Sequence, residues 1–149
     1  NIEQRQQARK TGSNAGHGPV LRLRDFDHDD LTRFRDSLLD LSLGARSVLP
    51  LHELSFVEPQ EGCRLTLKAG DTDEGLHRTV DPNLFGWVQE PGAWQPYDCV
   101  LSRSTWARLA ANVESLLHLR FLAGVYLWLH RQWHGQNDVH WLLSADGEW

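Results

Sequence analysis

Methionine is absent from all 149 residues, even from position 1, lysine occurs only at Lys10 and Lys68, and cysteine only at Cys63 and Cys99. The missing initiator leads us to read the sequence as trimmed or tagged, so little weight rests on its ends. Two lysines among fifteen basic residues make an arginine bias, which fits GC-rich bacterial coding because the arginines are scattered and form no cluster. Two cysteines beside apolar strand-like segments read as buried free thiols, with a disulfide left open. Net positive charge is also lacking: the formal net charge of -5 opposes the clustered basic field of a nucleic-acid surface. The longest apolar run, Phe121 to Leu129, stops at nine residues and contains Gly124, against the ~20 that span a bilayer. No membrane segment is expected. The first apolar stretch, Val20 to Leu23, is short and interrupted by Arg22, so no secretory segment is read and the cytoplasm is the expected compartment. Missing too are G-x-S-x-G, a glycine-rich phosphate loop and a paired-carboxylate pattern. Hence no catalytic residue and no cofactor are assigned.

What is present describes a globular α+β protein. Hydrophobic residues make up 40%, charged residues 23%, and seven tryptophans supply large apolar anchors. Residues 1–18 hold almost no large apolar side chain and are read as a flexible leader or vector remnant, leaving 19–149 as a single domain. Alternation at Val20 to Asp25 predicts a half-buried strand. Asp27 or Asp29 then caps a helix whose stripe is Leu31, Phe34, Leu38 and Leu41, ending at Gly44. Strands are predicted near Leu54 to Val57, over Cys63 to Lys68, over Leu84 to Val88 and at Tyr97 to Leu101, with a polar loop across Gly70 to Asn83. Ser104 caps a second helix striped by Trp106, Leu109, Val113, Leu116 and Leu117, and two Trp-bearing segments, Val125 to Leu129 and Val139 to Leu143, form a C-terminal hairpin. The order β-α-β-β-β-α-β-β, to which the short Tyr97 to Leu101 segment would add a fourth central strand, has no internal repeat and predicts a mostly antiparallel sheet with both helices on one face.

Candidate sites are few. His130, His134 and His140 fall within eleven positions, and three imidazoles plus water are a zinc ligand set; a zinc hydrolase is therefore the alternative reading. The spacing lacks the H-E-x-x-H arrangement, and turn or surface positions explain all three without metal. Asp25, Asp27, Asp29, Asp30 and Asp36 imitate a calcium loop, but Asp30 stands where that loop needs glycine, and a capped helix start accounts for the cluster. Trp94 and Trp133 sit in polar, Gly- or Pro-rich loops with no periodicity to bury them. With Tyr97 they are the interface candidates, on the loops Gly92 to Tyr97 and Arg131 to Asn137. The reading is a non-catalytic module that binds another protein or itself, with no nucleic acid and no membrane involved.

Overall fold

Asp27 and Asp30 cap each other: Asp30 N donates to Asp27 Oδ1 at 2.8 Å and Asp27 N donates to Asp30 Oδ2 at 3.3 Å. This reciprocal box satisfies two orphan donors and starts helix α1 (His28–Leu43), which stops at Gly44 in the left-handed region, φ 80°. A Cβ built on Gly44 would stand 2.8 Å from Arg103 Nη1, so this helix end is also the seat of a cation, where the helix dipole favours one. The computed structural model describes residues 2–5, 20–59, 63–78, 95–130 and 140–145. The strands are β1 (Ile2–Arg5), β2 (Val20–Arg24), β3 (Val48–Pro50), β4 (Cys63–Gly70), β5 (Gly75–Arg78), β6 (Gln95–Ser102), β7 (Tyr126–His130) and β8 (His140–Ser144); helix α2 is Arg103–Leu117, and a 3-10 turn covers Leu51–Glu53.

The class is α+β, but the strands form two mixed sheets rather than one. The first has the order β1-β2-β8-β7 and the second β3-β4-β6-β5. In each, a parallel pair lies at the centre: Val20 to Arg24 against His140 to Ser144, and Cys63 to Gly70 against Gln95 to Ser102. Antiparallel strands complete both sheets. Leu21, Leu23, Trp141 and Leu143 of one sheet share a core with Leu65, Leu67, Tyr97 and Cys99 of the other and with the buried stripes of both helices. The central strands β2 and β8 are covered on both faces, since Arg22, Leu142 and Ser144 are also fully buried. Inner strands of parallel pairing commonly are, and this replaces the half-buried strand expected from alternation.

Several boundaries move. Ile2 to Arg5, assigned to the leader, pair with β2, and Ile2 is wholly buried with its N–H on Glu58 O; one apolar residue in a polar stretch is too little for composition to register. Leu54 to Val57 form no strand, because Leu54 N bonds Leu51 O and Val57 N bonds Leu54 O in successive turns. The strand falls earlier, at β3. Within the polar stretch from Gly70, β5 pairs antiparallel with β6. The expected strand at Leu84 to Val88 lies outside the described residues. Ser102, not Ser104, caps α2.

Asp73 completes that helix start from outside, accepting Ser102 N at 2.7 Å and Thr105 Oγ1 at 2.7 Å. Replacing Asp73 by Ala should lower the unfolding free energy by about 1–2 kcal/mol, the usual worth of a lost cap. Urea denaturation followed by circular dichroism measures it; an unmoved midpoint would mean water replaces the carboxylate without cost.

The topology contains a repeat that the sequence does not display. β1-β2-α1-β3-β4 is followed by β5-β6-α2-β7-β8, and exchanging the two units converts one sheet order into the other. Asp27 and Ser102, the two caps, stand 75 residues apart; so do Leu31 and Trp106, Phe34 and Leu109, Leu38 and Val113, and Leu41 and Leu116, all buried. Only the last pair is identical, which is why no repeat is visible in the letters. The repeated property is where each helix must be apolar.

Candidate functional site

The acidic cluster is spent on structure. Asp27 and Asp30 form the capping box, Asp36 pairs with Arg35, and Asp25 lies 3.2 Å from Arg24 Nε. Among the described residues no three His, Cys, Asp or Glu side chains converge to hold a metal. His130 and His140 lie in β7 and β8, where the register sets His130 opposite Trp141 and so brings both histidines to one end of the hairpin. Their side chains, and the whole of His134, lie outside the described residues.

The thiols are far apart: β4 and β6 pair Cys63 with Gln95 and Leu67 with Cys99. Both are free and buried. Burial pushes the Cys63 thiol up to about 12. Cys99 is driven further up, first by burial and then by the charges of Asp73 and Asp98. Neither supplies a thiolate near neutral pH, so neither is a nucleophile.

Two hollows lie near the carboxyl ends of the parallel pairs. The first, about 40 Å³, is lined by Leu23, Arg24, Phe26, Leu31, Phe56 and Leu143, among others. That volume is far below the ~300 Å³ at which small-molecule sites begin. The second is a wide polar hollow of about 560 Å³ bordered by Ala69, Gly70, Asp71, Ser102, Arg103 and Ser104. It is large enough, but Ser102 is committed to the Thr105 N–H and Arg103 to the end of α1. Arg22 and Arg24 lie two apart on β2; burial first, then the charge of Arg24, lowers the Arg22 pKa, and Asp25 opposes the shift.

Of the interface candidates, Tyr97 is a correction. It is 1% exposed within the core, because β6 alternates and Tyr97, Cys99 and Leu101 share its inward side. Trp94 and Trp133 lie outside the described residues. The structure instead displays an apolar corner that sequence patterning passed over: the connection from α2 to β7 exposes Leu119 (40%), Phe121 (73%) and Tyr126 (57%). Phe121 and Tyr126 sit in the longest apolar run, and Tyr126 in the segment Val125 to Leu129 that reads as a strand. The corner is held at several points. His28 Nε2 lies 2.7 Å from Leu119 O, Val125 N bonds Leu122 O, Ala145 N bonds Val125 O, and Leu122 is buried. Phe121 carries the Arg120 guanidinium 5.3 Å from its ring centroid.

Comparison with known protein families, with characterised proteins and with solved structures finds no match for this chain. Among the described residues no helix is long and apolar enough to cross a membrane.

Proposed function

We propose that the protein is a non-catalytic module that binds another protein through exposed aromatic side chains. The observation that carries this reading is the corner of Leu119, Phe121 and Tyr126, apolar side chains held outward by a hydrogen-bonded connection. A fixed anchor loses little entropy on docking, and aromatic residues dominate the energetics of interfaces. Trp94 and Trp133 extend the same reading to their loops. The expected compartment is the cytoplasm of a bacterium.

The test compares the native protein with two double variants, Phe121→Ser/Tyr126→Ser and Trp94→Ala/Trp133→Ala, as immobilised baits in lysate of the source cell. One protein species retained by the native bait should be lost from at least one variant while the melting temperature stays within a few degrees, since exposed substitutions seldom cost more than about 0.5 kcal/mol. Equal retention by all three baits overturns the reading.

The shared hairpin end of His130 and His140 favours a second reading, a zinc hydrolase using these residues and His134. It requires near-stoichiometric zinc in native mass spectra of the purified protein. Protein that is metal-free and gains no stability from added zinc removes it.

A further inference from the structure

Neither repeat unit owns a complete sheet. β1 and β2 meet β7 and β8 in one sheet, and β3 and β4 meet β5 and β6 in the other. Each unit taken alone would therefore present two open strand edges, β2 and β4 in the first, β8 and β6 in the second. All four edges are closed across the same boundary, by two parallel ladders. The helices close on one another there too, through an Arg35–Glu114 ion pair, and Phe34 of the first unit makes an edge contact with Trp141 of the second. One covalent connection crosses this boundary: Asp71 to Glu74, all exposed, between β4 and β5.

We propose that this boundary is a self-recognition surface whose partner is a second copy of the chain, with the first unit of each copy docking on the second unit of the other. The inference goes beyond the aromatic corner and does not depend on it. Exchange of this kind recreates both parallel ladders, the helix pair and the core in trans, and it changes only the path of residues 71 and 72, since Asp73 and Glu74 are bonded to Ser102, Thr105 and Val100 of their own unit. Concentration decides between the two forms. A short connection gives the intramolecular form an effective concentration of about millimolar, so the closed monomer prevails in dilute solution. The connection has little slack, because β4 and β5 flank β6 two strand spacings apart and Gly70 and Gly75 pair with Ser102 and Val100, two residues apart along it, so the chain must cover about 12 Å. Without Asp71 and Thr72, the three remaining steps from Gly70 to Gly75 reach only about 10 Å at full extension. The closed form would then be strained, and the exchanged dimer would not.

The full chain lacking Asp71 and Thr72, which keeps the Asp73 cap, should elute as a dimer with the far- and near-ultraviolet circular dichroism of the native protein. A chain with six Gly/Ser residues added after Thr72 should stay monomeric under the same conditions. A third chain, with a protease site after Thr72, is refolded from urea at ~1 mM, near the effective concentration of the connection. It should give a dimer fraction. Cutting that dimer at the inserted sites should release particles of monomer size, because only the connections hold an exchanged pair together. A dimer that keeps its size after cutting is a surface contact and overturns the proposal. So does a folded, monomeric deletion variant. If the deletion variant fails to fold, absence of any dimer from the refolded third chain overturns it instead.

Discussion

Replacing Trp106 with Ala should remove about 4 kcal/mol or more of unfolding free energy, the range for emptying a large aromatic site in a core. The indole is wholly buried, lies 6.3 Å from Trp141 in an edge arrangement, and donates its Nε1–H to Lys68 O at 3.0 Å. It therefore ties α2 to both sheets, reaching β4 by the hydrogen bond and β8 by the ring contact. Three effects add on truncation: lost apolar burial, an incompletely filled cavity, and a strand carbonyl without its extra donor. A domain of this size has only about 5–15 kcal/mol in total, so the variant should be close to unfolding at ambient temperature. Trp106→Phe separates the contributions. It keeps most of the ring volume and loses the N–H, so its cost should fall to about 1–2 kcal/mol. Urea denaturation followed by far-ultraviolet circular dichroism measures both without relying on tryptophan emission. A loss below about 1 kcal/mol for the Ala variant would mean that α2 is not seated on this core.

Trp106 is also where the sequence was most legible. The stripes of α1 and α2 are read correctly because a helix must repeat its apolar face every three to four residues whatever it packs against. The paired segments at the C-terminus are equally clear, and they form the β7–β8 hairpin. What escaped depends on contacts distant in the chain. β5 is a four-residue strand, Gly75–Arg78, that exists because β6 offers it an edge; its own residues carry no strand signal. Likewise Arg22 alternates with Leu21 and Leu23 as a solvent-facing residue would, yet it is 0% exposed because its strand is central. Tyr97 was mistaken for a loop anchor for the reverse reason: Pro96 suggested a break, whereas β6 runs through it from Gln95. The apolar corner was hidden by its surroundings. Phe121 and Tyr126 flank the buried Leu122 in one apolar run, and periodicity over so few positions cannot separate outward from inward side chains.

Stability should fall steeply in alkali, and the two thiols should account for much of the fall. An unfolded chain ionises its cysteines near the ordinary value of 9.0, whereas in the folded protein Cys63 holds its proton up to about 12 and Cys99 beyond that. Above the unfolded value the folded state thus binds more protons than the unfolded state, so the stabilising difference is fully present below pH 9 and is lost as pH rises. The slope for each thiol approaches the full one-proton value, and from roughly pH 8 to pH 10 the pair together should lose on the order of 3 kcal/mol. Other groups titrate in the same range, so the informative quantity is a difference. Urea midpoints of the native protein and of Cys63→Ala/Cys99→Ala are compared across that interval. The variant starts less stable, having two small cavities, but its curve should be flatter by the amount stated. Parallel curves would mean that the thiols reach water in the folded state. They would then be open to alkylation at neutral pH, and the exclusion of a cysteine nucleophile would fall with the burial on which it rests.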